Sequence, residues 1–136
     1  MNWYEVENVE ALDTPSLMFY KNRILHNVEL AIQWLHGDVK RLRPHIKTFK
    51  SKAILEIFKT FNITKIKTAT LKETELAASV EISDVLMAFQ PHNQKLNRFI
   101  ELTQKYPKTR FSTLVVMDLS QFPVRSVNTY CLVQTG

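Results

Sequence analysis

ITKIKTATLKETELAASVEISDVLMAF, residues Ile63 to Phe89, is the stretch whose reading decides the fold. Ile63 to Ala69 is a β-branched run and reads as a strand. Thr70-Leu71-Lys72-Glu73 has capping-box spacing, in which the hydroxyl and the carboxylate each satisfy an amide at a helix start. The helix then runs through Leu76, Ala77 and Val80. Asp84 to Phe89 is a second short apolar strand. A helix placed between two strands makes them parallel, joined by a right-handed crossover.

The same alternation extends outward in both directions. Upstream, Leu17 to Tyr20 is a short apolar run after the turn-like Asp13-Thr14-Pro15, and is expected to be a strand. Lys21 to Leu35 is a helix with Ile24, Val28, Ala31, Ile32 and Leu35 on one face, ended by Gly37. Arg41 to Ile46 is expected to be extended, because Pro44 lacks an amide proton and biases Arg43 away from helical angles. A helix starting near Ser51 buries Ile54, Ile57, Phe58 and Phe61 until Asn62 breaks the pattern. Downstream, Pro91 and Asn93 open a helix carrying Leu96, Phe99 and Ile100, and Thr109 to Val116 is the clearest strand. Asp118 to Gly136 shows one short apolar stretch, Tyr130 to Val133, and no clear element. The expected order is βαβαβαβαβ, an α/β fold of parallel βα repeats that fits a barrel or a doubly wound sheet. A complete (β/α)8 barrel needs ~200 to 250 residues, so a 136-residue chain is expected to be an open sheet or an incomplete barrel.

Composition narrows the function classes. Hydrophobic residues make up 45% and charged residues 23% of the chain, values typical of one globular core. The net charge of +5 is concentrated at Lys40, Arg41, Arg43, Lys47 and Lys50, around His45. No aromatic platform or known motif accompanies these charges, so a local anion site is expected and nucleic acid is not. Cys131 is the single cysteine, which excludes an internal disulfide and a thiolate zinc cluster. An acidic N-terminus (Glu5, Glu7, Glu10, Asp13) and the lack of a run of ~18 apolar residues argue against a leader or a membrane span. A cytoplasmic protein without membrane partners is expected.

The densest chemical signal is Leu42-Arg43-Pro44-His45-Ile46-Lys47-Thr48-Phe49-Lys50, at the exit of an expected strand, where α/β folds place their active sites. Cationic neighbours favour a neutral lysine, the form that condenses with carbonyls. Read from spacing alone, the cluster is also a solvated basic turn. His45 fits a packed strand histidine as well as a ligand, and Thr70 is explained by capping. Gln90 and His92 occupy the next loop at the same rim.

Four segments, Leu12 to Leu17, Arg41 to Thr48, Thr68 to Glu75 and Asp84 to Phe89, occur in the order and spacing of the D-threonine aldolase and D-serine dehydratase family, which this chain resembles. The resemblance implies the N-terminal portion of an alanine racemase-type (β/α)8 barrel over residues 1–116, with a divergent tail over 117–136. It implies that Lys47 carries pyridoxal phosphate as a Schiff base, with His45, Arg43 and Thr70 beside the cofactor. The implied activity is a lyase acting on a small D-amino acid, by retro-aldol cleavage of a D-threonine-like substrate or dehydration of D-serine. A racemase-like enzyme and a non-catalytic pyridoxal-phosphate binder are the alternatives. The family's Gly-rich phosphate segments and its divalent-metal ligands lie further along than this chain, which has only Gly37 and Gly136 and no such metal ligands. Phe49 stands where the family usually has histidine. The open strand edges of a half barrel imply association, such as a homodimer.

Overall fold

The computed structural model describes residue 2, residues 4–115 and the backbone of residues 129–133; the side chains of Val115 and of 129–133 are not described. Four helices, α1 (Lys21–Trp34), α2 (Lys52–Thr60), α3 (Leu71–Ser79) and α4 (Gln94–Lys105), accompany strands β1 (Lys65–Thr68), β2 (Asp84–Met87), β3 (Arg110–Val115) and β4 (Thr129–Val133). The four strands form one sheet in sequential order with every pair parallel.

Why these residues build this sheet follows from alternation. Ile66 and Thr68 on β1 are buried between the partly exposed Lys65 and Lys67. Parallel register aligns Ile66 with Val85 and Phe111, and Thr68 with Met87 and Thr113. These rows are buried with Ala77, Ala78 and Phe99 of α3 and α4, so the core lies between sheet and helices. Phe99 meets Phe111 edge-on, with ring centroids 6.0 Å apart, a favoured aromatic geometry. Thr68 and Thr74 satisfy each other's buried hydroxyls at 2.8 Å. The opposite face carries Lys67, Leu86 and Ser112 in one register row.

Two expected strands change character. Leu17 to Tyr20 forms no strand, and Leu17, Met18 and Phe19 are exposed, because an apolar run without a neighbouring ladder has nowhere to pair. Arg41 to Ile46 is only partly extended. A short 3-10 turn takes Val39–Arg41, another takes Ile46–Thr48, and the segment joins the sheet by a single parallel bridge between His45 and Lys67. The Lys67 amide donates to the Pro44 carbonyl at 2.9 Å, while Pro44 has no amide to return.

The helices match their expected places closely. α1 ends through His36 and Gly37, both at positive φ (52° and 83°), and Asn62 (58°) follows α2 in the same way. α2 buries Leu55 together with Ile54 and Phe58, a position the periodic face did not include. The Tyr130 to Val133 stretch lies within β4, aligned with β3. Residues 116–128 and 134–136 lie outside the described residues.

Candidate functional site

The C-terminal ends of the strands are assembled by three local devices. The Ile46–Thr48 turn is anchored by Ile46, which is fully buried, and by the Lys47 amide donating to His45 Nδ1 at 3.2 Å. Because Nδ1 accepts, the neutral imidazole carries its proton on Nε2. Lys47 itself is exposed on this turn. Second, the Glu73 amide donates to Thr70 Oγ1 at 3.2 Å, and Glu73 Oε2 accepts the Ala69 amide at 2.8 Å. That is the expected capping box, with the carboxylate reaching one residue beyond the cap. Third, Lys50 Nζ lies 3.5 Å from Glu73 Oε1, which ties the Lys47 turn to the start of α3.

Electrostatics at this rim favour a neutral imidazole at His45. Burial lowers the His45 pKa from its ordinary 6.5, and the Lys47 and Lys67 ammonium groups lower it further, against a smaller opposing pull from Glu73. His45 is therefore neutral at physiological pH, a hydrogen-bonding group beside Lys47.

The expected site residues do not all converge. His45 and Lys47 are neighbours on one turn, and Thr70 sits on the adjacent βα turn with its hydroxyl engaged in capping. Thr70 also lines a cavity of about 320 Å³ with Leu71, Met87, Phe89 and Lys95. Arg43 lies at the opposite end of the sheet. Its Nη1 donates to Asp84 Oδ1 at 2.7 Å and to the Ile66 carbonyl at 3.4 Å, at the N-terminal ends of the strands. Only Pro44 stands between Arg43 and His45, but an extended segment rises roughly 6–7 Å over two residues, so their side chains leave it at different heights along the sheet. Arg110 completes the grip on Asp84.

Gln90 and His92 fall in the loop before α4. Phe49 turns into the core, edge-on to Phe58 at 5.6 Å, so no second imidazole stands in the Lys47 turn. Lys67 and the deep placement of Glu73 were not singled out from sequence. Period-two alternation around Ile66 and Thr68 was the available signal for Lys67.

Among the described residues no group of three or more His, Cys, Asp or Glu is arranged to hold a metal ion, and no helix is long and apolar enough to cross a membrane. No protein-family model matches the chain. The chain is similar to D-threo-3-hydroxyaspartate dehydratase of Delftia sp. (strain HT23), with 29% identity over 94 residues, or 69% of this chain and 25% of that protein. It thus spans about a quarter of the length of that curated relative. Its fold matches the crystal structure of D-threonine aldolase from Filomicrobium marinum with a TM-score of 0.66 and 24% identity, covering 80% of this chain and 29% of that one.

Proposed function

We propose that this chain, which over the part it spans is similar to D-threonine aldolase and D-serine dehydratase-like pyridoxal-phosphate enzymes, supplies the cofactor lysine of a lyase acting on D-amino acids. In this reading the sequential parallel strands are the first portion of a (β/α)8 barrel, and the Lys47 turn lies at its catalytic rim. The observation that carries the proposal is Lys47, exposed on a turn anchored by a buried Ile46 and a neutral His45.

The residues present suit the covalent end of such a cofactor. Lys47 offers the amine that binds its aldehyde, and His45 Nε2–H is a donor for its polar atoms. Lys67, in register beside His45, supplies positive charge for an anionic group. The described turns at this rim, residues 45–50 and 69–71, contain no glycine, so charge and side-chain donors, rather than closely approached backbone, would hold a phosphate there. When bound, pyridoxal phosphate supplies an electron sink for the carbanion formed at the substrate Cα. The protein's own part is to present the Lys47 side chain on an anchored turn and to hold the His45 Nε2–H available to donate a hydrogen bond.

A second reading, a pyridoxal-phosphate binder without turnover, is favoured by Phe49. Its ring is committed to the core beside Phe58 and brings no proton-transfer group to the turn.

Adding pyridoxal phosphate, reducing with borohydride and mapping by mass spectrometry is expected to place the pyridoxyl group on Lys47. Lys47→Ala is expected to lose both the adduct and the associated absorbance. A spectrum that Lys47→Ala leaves unchanged overturns the assignment. Cleavage or dehydration of a panel of D- and L-amino acids then separates the lyase from the binder.

A further inference from the structure

Glu73 is only 3% exposed, yet its carboxylate serves two partners on different segments: the Ala69 amide at 2.8 Å and the Lys50 ammonium at 3.5 Å. A capping box requires only the backbone bond. Lys50, for its part, occupies the left-handed backbone region at φ 43°. A residue with a β-carbon is strained there, and such outliers persist where the surroundings over-determine them. Its amide donates to the Ile46 carbonyl at 2.9 Å and the Phe49 amide donates to the same carbonyl at 3.2 Å. Those two bonds close the turn that presents Lys47.

We infer that Lys50 and Glu73 form a clamp that positions Lys47, the strained backbone of Lys50 aiming its ammonium over a desolvated carboxylate anchored on the neighbouring βα turn. The clamp joins the segment before α2 to the segment between β1 and α3. An exposed ion pair contributes little on its own. Here one partner is buried, so releasing Lys50 leaves an uncompensated carboxylate and frees the turn. Lys50 and Glu73 are positioning residues, acting through Lys47, and their effect on cofactor attachment rests on the reading of Lys47 given above.

The experiment uses the full chain with Lys50→Gly, Lys50→Arg and Glu73→Gln. Two properties are measured on each: borohydride-trapped pyridoxal phosphate at Lys47, and thermal unfolding. Glycine relieves the positive φ, which offsets the loss of the ion pair, so Lys50→Gly is expected to unfold near the wild-type temperature while trapping about tenfold less cofactor. Glu73→Gln is expected to lose trapping similarly, and Lys50→Arg to retain it. Wild-type trapping in Lys50→Gly or Glu73→Gln overturns the clamp, as does trapping that falls only in step with thermal stability. If wild type itself traps no cofactor at Lys47, the functional reading fails alone. The clamp is then judged on cofactor-free protein by hydrogen exchange of the Lys47 to Lys50 amides. Faster exchange in Glu73→Gln supports it, and protection equal to wild type overturns it.

Discussion

At the scale of single residues, two groups connect the chemistry of the chain to its stability. Asp84 is buried, which on its own raises a carboxyl pKa, but hydrogen bonds and charge from Arg43 and Arg110 outweigh this and lower it below the ordinary 3.8. A carboxylate depressed in the folded state stabilises fully above its unfolded pKa, and that contribution disappears as pH falls through the folded value. Acid unfolding is therefore expected to steepen below about pH 4, from the ordinary value of 3.8 downward. Asp84→Asn is expected to lose this acid-dependent part and about 2 kcal/mol at neutral pH, read by urea unfolding across pH.

His45 follows the opposite chemistry with the same sign. Its folded pKa lies below 6.5, so the unfolded chain takes up the proton first and stability falls as pH drops below 6.5. In an NMR titration its ring is expected to titrate below 6.5, and Glu73→Gln is expected to lower the midpoint further by removing the one charge that raises it. A midpoint at or above 6.5 contradicts this description of the rim.

At the scale of elements, α3 has a good start and a poor end. Its Thr70 cap takes the Glu73 amide, and Thr70→Ala is expected to cost about 1 kcal/mol. Its end passes through Glu81 at φ 61°, an exposed residue whose contact with Lys108 is long, at 3.8 Å. Glu81→Gly is expected to stabilise the fold by about 0.5–1 kcal/mol, because glycine reaches this conformation without the β-carbon penalty. Urea midpoints with an unchanged slope check both values. The capping box was legible as sequence because its four residues are contiguous. The deep burial of Glu73 was not, since it depends on Lys50 arriving from the segment before α2.

At the scale of the whole molecule, the packed helices α3 and α4 cover the sheet face that carries Ile66, Val85 and Phe111. The other face presents the Lys67, Leu86 and Ser112 row, and the Pro44–His45 edge joins the ladder by one bridge only. Leu17 and Trp34 add exposed apolar surface, at 72% and 73%. Partly paired edges and exposed apolar groups favour association. Sedimentation velocity is expected to show a weight-average coefficient that rises with concentration, and Leu17→Glu with Trp34→Glu is expected to reduce the rise. A monomer over the whole range contradicts it.

Periodic spacing within contiguous segments was enough to establish the alternation of helices and parallel strands from α2 onward and the cap at Thr70. Those features depend on neighbours a few residues apart. Which apolar runs became strands was decided by tertiary structure, because a strand exists only where another edge receives its hydrogen bonds: Leu17 to Tyr20 found none, and Arg41 to Ile46 found one bridge. Tertiary structure likewise separated Arg43 from His45 and Lys47, and brought Glu73 to Lys50. Charges distant in sequence find their partners only after the sheet has set their height and side.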